Sequence, residues 1–272
     1  MPALPALKSL RPALTRAAHA LPMRRLGQGR LELLPATLMR GRGLATQRAL
    51  ANAPWLLRDA ATGVYLATVD GKAQLALLLR GPASHPLRQR PAGAGLQVLW
   101  RELGIRHSDA AAGGLRPCAE PTELWLAGRD RYGRPLWLAP QAARAWRSMR
   151  TAADRDGVPL QAISGFRSVA YQGEIIRRKR RRGLSVESIL AVNAAPGYSE
   201  HHGGRALDIG SPGEPPAEES FEHTAAFAWL QANAGRFGFR LSYPRDNPHG
   251  IVYEPWHWCW HPPAAGALAL PR

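Results

Sequence analysis

The chain has 272 residues, 45% of them hydrophobic, enough for one sizeable core with or without a smaller companion domain. Its purely apolar runs, residues 75–79 among them, are far too short to span a bilayer, which argues against a transmembrane segment. The net charge of +16 favours polyanions such as nucleic acid, anionic lipid, or teichoic and peptidoglycan carboxylates, but no recognition motif accompanies it, so specific nucleic-acid reading is not expected.

Residues 1–53 are rich in Ala, Leu, Pro and Arg without a sustained period, and are expected to be a basic, disordered or loosely helical leader. Lys8, Arg11 and Arg16 interrupt any apolar stretch of a secretory signal, and Met23 and Met39 are alternative starts. Residues 54–108 read as a small accessory α/β segment. Within it, residues 64–79 predict two strands around the turn Asp70-Gly71, and residues 93–104 a helix carrying Leu96, Leu99, Trp100 and Leu103. Residues 109–120, rich in Pro, Gly and Ala, read as a linker.

The main domain is expected over residues 121–265, with a tail at 266–272. Leu124-Trp-Leu126 and Leu136-Trp-Leu138 predict strands around Tyr132-Gly133, and Pro140 opens a helix with Trp146, Met149 and Ala153 on one face. A strand over 160–164 and a helix over 168–182 follow, the latter ending in Arg177-Arg-Lys-Arg-Arg-Arg182, where cations suit a helix C-terminus. Ser185 is placed to cap a short helix, and residues 221–237 predict a long one with Ala225, Trp229 and Ala232 inward. The class is α+β: helices packed around a small, mainly antiparallel sheet. The two cysteines, Cys118 and Cys259, make neither a disulfide framework nor a cysteine-based zinc site; they form one bridge or remain two buried thiols.

The chemistry is concentrated in Ser199-Glu-His-His-Gly-Gly-Arg-Ala-Leu-Asp208 and Glu254-Pro-Trp-His257. A Pro/Gly-rich turn holds His201, and Ala206-Leu-Asp-Ile209 reads as a strand with Ala206 and Asp208 on one face. Turn and strand can therefore aim His201 and Asp208 at one point. Glu254 and His257 lie in an apolar, aromatic stretch where each needs a partner or a metal, and Pro255 permits a break that lets both face one cavity. Two imidazoles and a carboxylate with one open position suit a catalytic zinc, and a further Glu free of the metal suits a proton acceptor for zinc-bound water. The residues thus read as a zinc hydrolase.

The pattern Ser-x-His-x-x-Gly-x-Ala-x-Asp followed by Glu-Pro-Trp-His resembles the zinc D-alanyl-D-alanine carboxypeptidases of the VanY type, whose core is similar to that of L-alanyl-D-glutamate endolysins and the Hedgehog signalling domain. The resemblance extends to Ile163-Ser-Gly-Phe-Arg-Ser168 with Tyr171-Gln172, and to Trp229-Leu230, Gly238-Phe239 and Ser242-Tyr243-Pro244. It implies the Hedgehog/D,D-peptidase-like fold and one Zn2+ per chain held by His201, Asp208 and His257, with His202 outside the ligand set. It also implies Glu254 as general base, Arg167 as oxyanion stabiliser, and Ser199 and Gln172 as substrate-binding residues. Where members of that family often carry Arg-Tyr after the Trp that follows the last ligand, this chain has Cys259-Trp260-His261.

The implied activity is removal of the terminal D-Ala of peptidoglycan stem peptides. An L,D-carboxypeptidase or an L-alanyl-D-glutamate endopeptidase fits the same residues. A non-catalytic module binding cell wall or polyanion is the alternative of another class, and Glu254 argues against it. Peptidoglycan stem peptides are the expected partners, with anionic envelope polymers a further partner for the basic leader and the run 177–182. The resemblance implies the cell envelope or periplasm, and the want of a convincing secretory signal leaves the cytoplasm as the alternative.

Overall fold

The structure, a computed structural model, describes residues 10–12, 23–26, 31–41, 44–51, 53–69, 92–121 and 123–262. The first part holds strands β1 (Leu10–Pro12), β2 (Met23–Leu26), β3 (Leu31–Pro35) and β4 (Met39–Gly41), helix α1 (Leu44–Ala51), and strands β5 (Trp55–Asp59) and β6 (Tyr65–Val69). Helices α2 (Ala92–Leu103) and α3 (His107–Ala110) lead to β7 (Glu123–Arg129) and β8 (Pro135–Leu138). Then come α4 (Pro140–Arg155), β9 (Gln161–Ser164), α5 (Val169–Arg181), α6 (Val186–Leu190), β10 (Ala206–Gly210), α7 (Ala225–Asn233), β11 (Phe239–Leu241) and β12 (His257–Trp260).

Among the described residues three antiparallel sheets organise these elements: a two-stranded pair β1-β4, a four-stranded sheet in the order β11-β12-β10-β9, and a six-stranded one in the order β6-β5-β3-β2-β7-β8. The architecture is α+β, as the sequence predicts. The main core lies between the four-stranded sheet and the helices α4 and α7: Trp146, Met149 and Ala153 meet Leu207 and Ile209 of β10, with Phe227 and Leu230 of α7 closing over them. Each large side chain buried there contributes about 1.5–3 kcal/mol relative to exposure. Because Leu207 and Ile209 take the core face of β10, strand alternation turns Asp208 to the other face.

The expectation of a disordered or loosely helical leader over 1–53 is corrected for the described residues. Short β2 and β3 complete the larger sheet, β3 pairing with β5 and β2 pairing with β7. Strands of four and five residues have little local signal. Their hydrogen-bond partners come from far along the chain, so the pairing is invisible to periodicity. Residues 109–120 likewise do not separate two bodies. Glu120 pairs with Arg25 and accepts from the Val169 N–H, while Cys118 N–H donates to the Gly197 carbonyl at 2.8 Å.

β6 falls where the first of the two strands expected over 64–79 lies, and it pairs with β5 across residues 60–64; the turn and second strand expected over 70–79 lie outside the described residues. In place of one helix over 221–237 there are a 3-10 turn (Glu219–His223), α7, and a second 3-10 turn (Ala234–Phe237). Thr224, non-helical itself, caps α7 by accepting from Phe227 N–H at 3.1 Å. Ser185 caps α6 as expected, and Ser168 caps α5; Ser168 Oγ also donates to the Ala60 carbonyl at 3.1 Å, tying the early segment to the loop that leads into the site. No helix among the described residues is long and apolar enough to cross a membrane.

Candidate metal centre

The centre is built where β10 and β12 run side by side. Asp208 and His257 are direct cross-strand partners in the antiparallel register, which brings their side chains together on the face turned from the core. His257 Nδ1 lies 3.2 Å from Asp208 Oδ1. Glu254 precedes the strand in a turn, and the His257 N–H donates back to the Glu254 carbonyl at 3.1 Å. That turn at Pro255-Trp256 is the break that lets 254 and 257 face one place, though residues 251–256 are irregular rather than strand.

His201 arrives from a 3-10 turn, Glu200–Gly203, that closes on Gly204 in the left-handed region at φ 65°. A Cβ there would sit 2.8 Å from Leu124 and 2.9 Å from the Ala139 nitrogen, so glycine is required both by conformation and by space. Three hydrogen bonds stitch this turn to the loop after β9. His201 Nδ1 donates to the Gly165 carbonyl at 2.7 Å, Arg167 N–H donates to the His201 carbonyl at 3.2 Å, and His202 Nδ1 donates to the Arg167 carbonyl at 2.6 Å. With Nδ1 so engaged, His201 turns Nε2 to Asp208 Oδ1 at 3.3 Å.

His201, Asp208 and His257 therefore offer three ligand atoms within 4.8 Å of one another, all three residues buried. Tetrahedral zinc with ligand distances of about 2.0–2.3 Å needs donors about 3.3–3.8 Å apart, so the donor set fits such an ion. His202, wholly buried, points to the Arg167 carbonyl instead, and burial pushes its pKa down to about 3, leaving it neutral.

The charges agree with a cation site. Burial opposes the charge on Asp208, but His201 and His257 outweigh it and hold the carboxyl far below its usual range. Burial lowers His257 too, yet hydrogen bonds to Asp208 and Glu200 raise it to about 10 when no metal competes for its ring. Glu254 behaves oppositely. Burial first, with Asp208 adding to it against the pull of His257 and Arg167, lifts it to about 7, while its Oε2 stays 3.7 Å from His257 Nδ1 and outside the donor triad. A carboxyl of that pKa can both take and return a proton near neutrality.

Arg167 stands 3.8 Å from Asp208 Oδ2, donates to Gln172 Oε1 at 3.1 Å, and reaches Ser164 Oγ at 3.4 Å. Gln172 is 1% exposed, with its amide nitrogen donating to the Ala194 carbonyl at 2.9 Å, so both ends of its side chain are engaged and one of them holds Arg167. Ser199 is buried at the head of the 3-10 turn. Glu200 is the residue that the sequence reasoning missed. Its Oε2 lies 2.9 Å from His257 Nε2 and accepts from Ser242 Oγ at 2.6 Å, and although burial opposes it, His257 draws its pKa to about 2. A metal-ligating imidazole held on its other nitrogen by a carboxylate is fixed in tautomer and orientation. Its place beside His201 in sequence was visible; its partner, fifty-seven positions on, was not.

A buried His/Asp/His triad with an unliganded, basic carboxylate beside it defines the class as a metallopeptidase-type centre. Residues 135–263 match the family VanY: D-alanyl-D-alanine carboxypeptidase, and the chain belongs to that family. It is 37% identical over 130 residues to the putative carboxypeptidase YodJ of Bacillus subtilis (strain 168), covering 44% of this chain and 45% of that protein. It is 31% identical over 125 residues to a D-alanyl-D-alanine carboxypeptidase of Enterococcus faecium, covering 45% of this chain and 37% of that protein. The match thus spans less than half the length of these curated relatives. Among solved structures, the LdcB LD-carboxypeptidase is 31% identical with a TM-score of 0.48, covering 52% of this chain and 69% of that one. A vancomycin-resistance D,D-pentapeptidase VanY in complex with Zn(II) is 27% identical with a TM-score of 0.42, covering 53% of this chain and 83% of that one.

Proposed function

We propose that this chain is a zinc metallocarboxypeptidase that removes the terminal D-Ala from peptidoglycan stem peptides ending in D-Ala-D-Ala. The observation that carries the reading is the convergence of His201, Asp208 and His257 with Glu254 held beside them and outside the donor set. His201 through Nε2, His257 through Nδ1 and Asp208 through Oδ1 are the atoms that would hold one zinc ion. When bound, zinc supplies a Lewis acid that polarises the peptide carbonyl and acidifies a water molecule. Glu254 takes the proton from the attacking water and delivers it to the leaving amine. Arg167, positioned by Gln172 and Ser164, stabilises the oxyanion or holds the substrate's terminal carboxylate by charge-assisted hydrogen bonds. Ser199, two residues before His201 in the chain, is assigned to the substrate side of the site on the family resemblance, and Gln172 acts through Arg167 rather than on the substrate itself.

The L,D-carboxypeptidase reading is favoured by one observation, the 31% identity to LdcB. Digestion of two defined muropeptides separates the readings. Mass spectrometry should show loss of one alanine from the pentapeptide ending in D-Ala-D-Ala. Cleavage of the tetrapeptide alone would assign L,D-specificity instead, and cleavage of neither, with zinc bound, would leave a binding module. Such substrates place the protein's work in the cell envelope.

A further inference from the structure

β12 continues past the first centre. Strand alternation sets His257 and Cys259 on the same side, with Trp258 turned to the core cluster, and His261 follows at the next position of that side. Glu200 lies over this row. One of its oxygens is held by His257 and Ser242, and a carboxylate oxygen of Glu200, Cys259 Sγ and a ring nitrogen of His261 all lie within 4.8 Å of one another. None of these residues belongs to the His201, Asp208 and His257 triad.

We propose that Glu200, Cys259 and His261 form a second metal site, for a thiophilic divalent cation such as zinc, linked to the first through Glu200. The donor types suit that ion: a thiolate, a carboxylate and a neutral imidazole together carry two negative charges and include the sulfur ligand that zinc prefers and magnesium or calcium does not. Cys259 is 1% exposed and His261 half-buried, so the cation would sit at the edge of the protein with a way in from solvent. Arg205, whose charge reaches both Cys259 and His261, is itself exposed, and water screens its repulsion of a cation. A cation here draws on the carboxylate that orients His257, so filling the second site alters the hold on the first.

Cobalt titration of the chelator-stripped full chain tests this without using activity. The first triad has no sulfur, so a thiolate-to-cobalt charge-transfer band in the near ultraviolet reports the second site alone. The wild-type protein should take up two equivalents of Co2+ and show the band. Cys259→Ser should abolish the band and keep one equivalent; Asp208→Asn should keep the band. Because Cys259 is buried, His261→Ala, nearer the surface, provides a second variant and should weaken the band-forming step at least about tenfold. Cys118→Ser should keep the band. One equivalent with no sulfur band in the wild type would overturn the proposal, as would a band that survives Cys259→Ser and disappears with Cys118→Ser.

Discussion

Glu254 and Glu200 are two half-buried carboxylates beside the same imidazole with opposite proton affinities. Glu200 accepts from a ring nitrogen and a hydroxyl and is held at about 2, whereas Glu254 lacks such close donors, and burial leaves it at about 7. The first is held as an anion, and the second is poised to exchange a proton near neutrality, as the proposed role of general base requires. Glu254→Gln should therefore keep its zinc while turnover falls by about 10²–10⁴-fold; elemental analysis alongside steady-state kinetics on a D-Ala-D-Ala peptide checks both halves, and near-normal turnover would make this carboxylate structural. Arg167→Ala should lower kcat by roughly 10²–10³-fold with metal content unchanged. His202→Ala should also keep its metal, since that ring serves the Arg167 carbonyl, but should cost about 1–3 kcal/mol of stability by denaturant unfolding for the lost bond. Metal loss in that variant would reverse the roles of the two adjacent histidines.

At the scale of elements, the β10–β12 pair couples metal binding to pH. In the metal-free protein, the folded pKa of Glu200 is lowered, so its stabilisation is present above about 4.5 and is lost as pH falls toward about 2. The folded pKa of His257 is raised, so its stabilisation is complete below about 6.5 and is lost as pH rises toward about 10. Both express one contact and are counted once. A metal requires His257 neutral, so binding expels its proton throughout the upper window. Zinc affinity, measured by competition with a chromophoric chelator, should rise about tenfold per pH unit between pH 7 and 9. A flat profile would mean that His257 is already neutral in the metal-free protein. α5 depends on Ser168 in the same local way. Ser168→Ala removes a cap and a bond to Ala60, and should cost about 1–2 kcal/mol of stability.

At the scale of the whole molecule, the early strands belong to the sheet that braces the site. Met23, Leu33 and Leu34 are buried, and β2 lies between β3 and β7, the strand whose Leu124 packs against Gly204. Removing residues 1–53 should therefore lower the melting temperature and the soluble yield by exposing the edges of β5 and β7. A truncated chain that melts like the full one would show that the early strands contribute nothing to stability.

Local physics made much of this legible. The apolar face of α4, the cap Ser185, and the alternation that separates Asp208 from Leu207 and Ile209 follow from spacing and residue type; the residues also single out Asp208, His257 and Glu254, while the choice of His201 over His202 rests on the family resemblance. Three features rested on contacts between residues far apart in sequence. The pairing of β2 and β3 with β5 and β7 has no period of its own in strands this short. Glu200 on His257 joins a turn to a strand, and its neighbour His202 carries the same chemical promise until the fold turns it to Arg167. Two cysteines are too few for a cysteine-based site, and it is the turn that lays Glu200 over β12 that sets a carboxylate beside Cys259 and His261. Sequence alone determined which side chains can do chemistry; the tertiary structure decided which of them meet, because a ligand atom's value depends on distances of a few ångströms that chain order does not encode.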